Sequence, residues 1–192
     1  PKRKIAMVSW RGTPQRYVQI KETILKELKK AGIDESNTTF LFEDADSKKD
    51  KLPSILERVL AEKPDLLIPI GTAAVMATTK AEKKSPIVFG MIFDPVESGV
   101  AKAWDSSGNN TTGASSFVSI PKFVRKLHPL LPFKKIAVAY TPGQKNSELQ
   151  LEAVNSVKLA LKFEVVPIEI KSKDDYASLA GKLDKSVDAL FL

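Results

Sequence analysis

No cysteine occurs among the 192 residues. Disulfide frameworks, thiolate zinc sites, iron–sulfur clusters and cysteine nucleophiles are therefore excluded. Histidine occurs once, as His128, before Pro129 in a Leu-rich stretch. That setting suits packing or the surface, and a single imidazole makes metal sites and catalytic triads a poor fit. No uncharged apolar run approaches about 18 residues, so no transmembrane helix is expected. The start, Pro1 to Val8, turns apolar at once and has no leader pattern. Either the chain is cytosolic or a leader has been removed. The nucleotide fingerprints G-x-G-x-x-G and G-x-x-x-x-G-K-[ST] are absent, as are G-x-S-x-G and H-E-x-x-H. No cofactor and no metal is expected.

Apolar residues make up 43% and charged residues 28%, enough of each for a folded core with a solvated surface. The formal net charge of +7 would suit nucleic acid or an anionic surface. The lysines, however, are spread in pairs along the chain (Lys29-Lys30, Lys48-Lys49, Lys83-Lys84, Lys134-Lys135), and aromatics are 7%. Solvated element ends explain that pattern, and no nucleic-acid partner is expected.

Short apolar runs alternate with amphipathic stretches. Ile5–Ser9, Thr39–Phe42, Leu66–Ile70 and Ile87–Gly90 read as strands. Between them, Pro14 to Ala31 and Leu52 to Leu60 carry helical stripes, Gly71-Thr72-Ala73 opens a short helix, and another is expected near Val96–Ala103. After the polar segment 105–110, Thr111-Thr112-Gly113 begins a short strand or a crossover. The rhythm then restarts. A helix through Phe123, Leu127, Leu130 and Leu131 ends at Pro132, and Lys135–Tyr140 is a strand. A long helix through Leu149, Ala153, Val157 and Leu161 follows, then a strand at Phe163–Ile170, a helix at Tyr176–Leu183 and a strand from Val187. This order predicts an α/β architecture: parallel sheet, helices on both faces, two lobes. The boundary is expected near residues 114–120, giving a first lobe over 1–116 and the start of a second over 117–192. The apolar ending Asp188–Leu192 reads as a strand with nothing after it, so the second lobe is expected to be incomplete.

Ligands of open parallel sheets bind at the carboxyl ends of the strands. The loops there are Trp10-Arg11-Gly12-Thr13, Glu43-Asp44-Ala45, Gly71 to Ala74, Phe93 to Val96 and Thr141 to Ser147. Trp10 can stack on a ligand or fill a strand end. Gly71-Thr72 leads straight from strand to helix, a carboxylate or phosphate cradle or a plain cap. Asp94 can meet an ammonium group or cap the turn before Pro95. Ser147 can contact a ligand or cap the helix it precedes. Trp104, beside Asp105, reads as packing.

Several of these runs resemble one family of ABC-transporter solute-binding proteins, which includes tryptophan- and tyrosine-type amino-acid binders. They are Ala61-Glu62-Lys63-Pro64-Asp65 through Gly71-Thr72-Ala73-Ala74; Ser85-Pro86-Ile87-Val88-Phe89-Gly90 leading into Phe93-Asp94-Pro95-Val96; Asn110-Thr111-Thr112-Gly113; Leu130-Leu131-Pro132; Lys145-Asn146-Ser147; and Val187–Leu192. The ordered set spans almost the whole chain. The resemblance implies a type I periplasmic-binding-protein fold of about 300 residues, with three crossovers and a ligand between two lobes. It implies no catalysis, a periplasmic or extracytoplasmic location peripheral to the membrane, and an ABC permease as partner. Carried across, the ligand contacts would be Thr72, Ala73, Asp94, Asn146 and Ser147, with Trp10 and Arg11 from a first loop more basic than the family's usual one. Phe93 stands where a small hydroxyl residue is common. The ligand would be a small molecule such as an aromatic or branched amino acid. Two other readings stay open: a sensory input domain of the same fold, and an enzyme using Asp94 or Glu43-Asp44 as acid and base.

Overall fold

Each of two sheets grows outward on both sides of its first strand. The computed structural model describes residues 2–12 and 15–192; Thr13 and Pro14, read above as loop and first helical turn, lie outside the described residues. The chain divides into two compact units, Pro1–Phe117 and Val118–Leu192.

The first unit runs β1 (Arg3–Ser9), α1 (Gln15–Lys30), β2 (Thr38–Asp44), α2 (Lys51–Ala61), β3 (Leu66–Ile70), α3 (Thr72–Ala81), β4 (Ile87–Ile92) and β5 (Thr111–Ser115). Its sheet has the order β2-β1-β3-β4-β5, all parallel. The interior strand β1 is apolar and buried from Ile5 to Val8 because both its faces are covered there. Ala6 and Val8 join Leu52, Ile55, Leu56 and Val59 of α2 and Ala74 of α3 in one core cluster. Ile5 and Met7 point the other way and join Ile68, with Ile24, Leu25 and Leu28 of α1 packed on them. One strand thus anchors two cores, and each fully buried side chain of this kind contributes about 1.5–3 kcal/mol.

The second unit runs α4 (Ile120–Leu127), β6 (Lys135–Tyr140), α5 (Lys145–Asn155), α6 (Lys158–Leu161), β7 (Glu164–Glu169), α7 (Lys173–Ala177), α8 (Leu179–Lys182) and β8 (Ala189–Phe191). Its sheet order, β7-β6-β8, repeats the β2-β1-β3 logic of the first unit. The two units also start their third strand with the same device. Asp65, just before β3, accepts the Lys4 N–H at 2.8 Å. Asp188, just before β8, accepts the N–H groups of Lys134 and Lys135 at 2.8 and 3.0 Å. Each carboxylate satisfies backbone donors that the parallel ladder leaves open at its start.

Four helical expectations are corrected. Residues 96–103 form turns, because Gly99 (φ 70) closes a single turn after Pro95: Gly99 N–H bonds the Val96 carbonyl and Val100 N–H the Pro95 carbonyl. The helix through Phe123 ends at Leu127, and its buried residues are Ile120 and Val124, while Phe123, Leu130 and Leu131 are exposed. The long helix through Leu161 is broken into α5 and α6 at Ser156, whose hydroxyl donates back to the Ala153 carbonyl at 2.7 Å. The helix expected from Tyr176 starts at Lys173 and breaks at Ser178, whose hydroxyl donates to the Asp174 carbonyl at 2.9 Å. His128 packs edge-on to Phe133 with ring centroids 4.7 Å apart.

Candidate functional site

The carboxyl ends of the first sheet's strands are laced together by backbone bonds. Trp10 N–H donates to the Ile70 carbonyl, Gly71 N–H to the Gly90 carbonyl and Ser116 N–H to the Ile92 carbonyl, at 2.8–2.9 Å. The loops after β1, β3, β4 and β5 therefore lie side by side.

Gly71 makes the strand-to-helix turn at φ 96, ψ 142. A Cβ there would stand 2.8 Å from both Trp10 Cβ and Tyr17 Oη, so glycine lets the three segments approach this closely. α3 then begins at Thr72, and its first N–H groups have no helical carbonyl to bond. The Thr72 hydroxyl, on a residue 8% exposed, accepts the Phe93 N–H at 3.3 Å. That bond joins the mouth of α3 to the turn carrying Asp94. Ala73 is half-buried beside it.

Before that turn, β4 changes register against β5 between Gly90 and Ile92, and Met91 takes φ 56. Such a bulge re-aims the residues that follow. Asp94 is buried, and one carboxylate oxygen, Oδ1, accepts the N–H groups of Val96 and Glu97 at 2.9 and 3.0 Å. Its capping role is thus realised by Oδ1.

Trp10 is 5% exposed and belongs to the core cluster that includes Val8 and Ala74. Arg11 is exposed and lines a cavity of about 170 Å³ with Ser9, Tyr17, Lys21, Phe42 and Asp44. Burial pushes the Tyr17 phenol above its ordinary value, opposed by the charges of Arg11 and Arg16.

In the second unit, Asn146 and Ser147 are half-buried at the carboxyl end of β6. Ser147 does not cap α5, which starts at Lys145 with Gln144 before it. Its oxygen accepts the Thr141 N–H at 2.8 Å, tying the loop to the helix and leaving the hydroxyl proton to donate.

Sequence reading passed over an aromatic ladder. The Phe117 ring lies 5.7 Å from that of Phe93 and 5.0 Å from that of Trp104. Trp104, read as packing, is 56% exposed, and Phe117 is 43% exposed. A cavity of about 340 Å³, lined by Trp104, Phe89, Pro95, Thr112 and Ser115 among others, runs beside β5. The one signal for it was three aromatics close in sequence to the β4 and β5 ends. Among the described residues, no cluster of His, Cys, Asp or Glu could hold a metal ion, and no helix is long and apolar enough to cross a membrane.

Residues 4–192 match the family model described as ABC transporter substrate binding protein. A curated protein named tyrosine-binding protein, from Clostridioides difficile (strain R20291), is 31% identical over 170 residues, covering 85% of this chain and 49% of that protein. The chain thus spans about half the length of that curated relative. The crystal structure of a conserved domain protein from Vibrio cholerae superposes with a TM-score of 0.87 at 25% identity, over 99% of this chain and 64% of that one. A Streptococcus protein solved in complex with L-Trp gives 0.85 at 23% identity, again over 99% and 64%. The fold is that of the type I periplasmic binding proteins. With the match running over almost its whole length, the chain belongs to the ABC transporter substrate-binding protein family, a family of binding proteins and not of enzymes.

Proposed function

We propose that the chain captures an amino acid or a closely related small molecule between an N-terminal lobe, residues 1–116, and a second lobe beginning at 117, and that the loaded protein, itself on the extracytoplasmic side, delivers it to an ABC permease in the membrane. The N–H groups of Thr72 and Ala73 at the mouth of α3 receive the ligand's carboxylate. Arg11 is the second anion anchor. The free oxygen of Asp94 takes the ligand's ammonium, while its other oxygen holds the turn. Asn146 and Ser147 supply polar contacts from the second lobe, and Trp10 acts from behind by backing Gly71. Contacts made from both lobes favour the closed form over the open one, which is all that capture requires.

The observation that carries this reading is the Phe93 N–H to Thr72 Oγ1 bond, which brings an orphaned helix mouth and a carboxylate into adjacent loops. Those are the two groups an α-amino acid needs at its two charged ends. The half-exposed rings of Phe117 and Trp104 favour an aromatic side chain. The tyrosine named in one relative and the L-Trp bound in another structure support the same class.

The test is calorimetric titration with tyrosine, tryptophan and leucine, on the wild type and on Asp94→Asn. Asparagine keeps an oxygen for the Val96 and Glu97 N–H groups but loses the charge. Affinity should fall by about tenfold or more, as expected when a charge-assisted hydrogen bond is lost, while the thermal midpoint stays close to the wild type. Equal affinity in the two proteins would remove Asp94 from the site.

A further inference from the structure

Among the described residues, the most exposed large apolar side chains gather at one end of the second unit. Leu159, Leu130 and Leu131 are 86%, 79% and 64% exposed. Leu192, at 72%, is the other of this rank, and it follows β8 at the opposite, carboxyl end of the sheet. Apolar side chains scattered singly over a surface need no explanation, but several together mark a contact.

The topology brings the three leucines to the same end. β6 and β7 run parallel, with Lys135 opposite Glu164 at their starts, so the connections that enter them both lie at the amino end of the sheet. Leu130 and Leu131 stand in the connection from α4 to β6, and both their N–H groups bond the Leu127 carbonyl at 2.9 Å. Leu159 stands in α6, which leads to β7. The two connections are pinned together. The Phe133 and Phe163 rings lie 5.0 Å apart, and the Glu164 N–H donates to the Lys134 carbonyl at 2.8 Å. Phe133 and Phe163 are themselves buried, and His128 packs on both. The core at this end is thus already closed beneath the leucines, which project beyond it.

The charge around them has one sign in excess. No Asp or Glu occurs from Ser106 to Ser147, while Lys122, Arg125, Lys126, Lys134, Lys135 and Lys145 do. Lys126, Lys134 and Lys162 are exposed in the same two connections, and among the described residues none of their ammonium groups has a carboxylate partner. The acids at this end are engaged. Glu164 lies 3.6 Å from the Lys135 ammonium, Asp188 accepts the Lys134 and Lys135 N–H groups, and Asp184 accepts from Ser186. On α5, which packs against α4, Glu148 accepts the Gly143 N–H toward the other end of the sheet, and Glu152 is exposed.

We propose that this end of the second unit docks on an anionic lipid bilayer. Leu130, Leu131 and Leu159 enter the boundary between headgroups and acyl chains, and Lys126, Lys134 and Lys162 meet the lipid phosphates. A fluid interface can surround side chains that project this far. A second copy of the chain would instead bring the same unpaired cations face to face.

The test is co-sedimentation of the 192-residue chain with vesicles of phosphatidylcholine alone and of phosphatidylcholine mixed with phosphatidylglycerol. The chain should bind the mixed vesicles, more weakly as salt is raised, and leave the neutral ones in solution. Leu130→Ser combined with Leu131→Ser should weaken binding by about tenfold or more. Leu159→Ser, in the other connection, is an independent second variant and should act in the same direction. Lys126→Gln combined with Lys162→Gln should weaken binding by about tenfold. Leu192→Ser, outside the patch, should leave binding unchanged. All these side chains are exposed, so the thermal midpoints by circular dichroism should stay close to wild type. No binding to the mixed vesicles would overturn the proposal, and equal binding to both vesicle types would overturn the lipid class. Full binding by both leucine variants would reduce the effect to the net charge of the chain and overturn the patch. Self-association in light scattering that the leucine variants abolish, without vesicle binding, would assign the patch to a second copy instead. None of these outcomes depends on whether an amino acid binds near Thr72.

Discussion

Replacing Gly71 by alanine separates two costs that usually arrive together. The backbone at φ 96, ψ 142 lies where side chains are strained, at about 1–3 kcal/mol. The added methyl would also stand 2.8 Å from Trp10 Cβ and from Tyr17 Oη. Both neighbours are anchored, Trp10 in the core and Tyr17 on α1, so the overlap adds about 1–3 kcal/mol. Gly32 is the matched control. It closes α1 at φ 76, and a methyl there would meet nothing within 4 Å, so Gly32→Ala carries the left-handed penalty alone, about 1–2 kcal/mol. Both tryptophans, Trp10 and Trp104, lie in the first unit, so their fluorescence in a urea titration reports that unit's unfolding. With an m-value of about 2 kcal/mol per molar, Gly71→Ala should lower the midpoint by about 1–3 M and Gly32→Ala by about 0.5–1 M. Equal shifts would show that close approach is not what reserves position 71 for glycine. A Gly71→Ala protein with the wild-type midpoint would refute the account of the turn altogether.

Further expectations concern the second unit and the first loop. The N–H groups of Lys134 and then Lys135 hold the Asp188 carboxyl below its ordinary value of 3.8. A carboxyl depressed in the folded state contributes stability above the unfolded value of about 4, and that contribution is lost as the pH falls through the folded value. Asp188→Asn should therefore be less stable than the wild type at neutral pH. The gap should close progressively below about pH 4, and a gap that is constant with pH would contradict this. Ser172 and Asp175 form a reciprocal capping box at the start of α7. Ser172→Ala should cost about 0.5–2 kcal/mol in chemical unfolding followed by far-ultraviolet circular dichroism, with no effect on the tryptophan-detected midpoint. Tyr17→Phe removes a hydroxyl that packs near Gly71 while keeping the ring, so it should leave the unfolding free energy in urea within about 0.5 kcal/mol of wild type. Tyr17→Ala should fall by about 3 kcal/mol or more.

Most of the architecture was legible because burial and periodicity agree in it. Runs such as Ile5–Val8 and Leu66–Ile70 are apolar on both faces, which only a covered parallel strand explains, and helices recur between them. Three of the errors fall where a serine or a glycine overrules an apolar stripe. Ser156 and Ser178 cut helices by bonding back to carbonyls one turn earlier, and Gly99 stops a turn before it can become a helix. The Ser172-x-x-Asp175 cap was a signal in plain sight, yet the stripe through Tyr176 hid it; Tyr176 is in fact exposed. At the candidate site, the loops were legible because strand ends are where ligands of open parallel sheets bind. The state of each side chain was not. Nothing in the sequence says that one Asp94 oxygen is taken by Val96 and Glu97, or that Trp10 is buried under Gly71 while Trp104 lies open against Phe117. Those outcomes depend on which loops the sheet order places together.

The central claim is that residues of both units meet one small ligand. Its most direct test is amide-shift mapping of the isotope-labelled chain during titration with tyrosine and tryptophan. The account predicts saturable shifts at Thr72, Ala73 and the Asp94 turn in the first unit, and, with the same midpoint, at Asn146 and Ser147 in the second. Shifts confined to other surfaces, or none at millimolar amino acid, would contradict it.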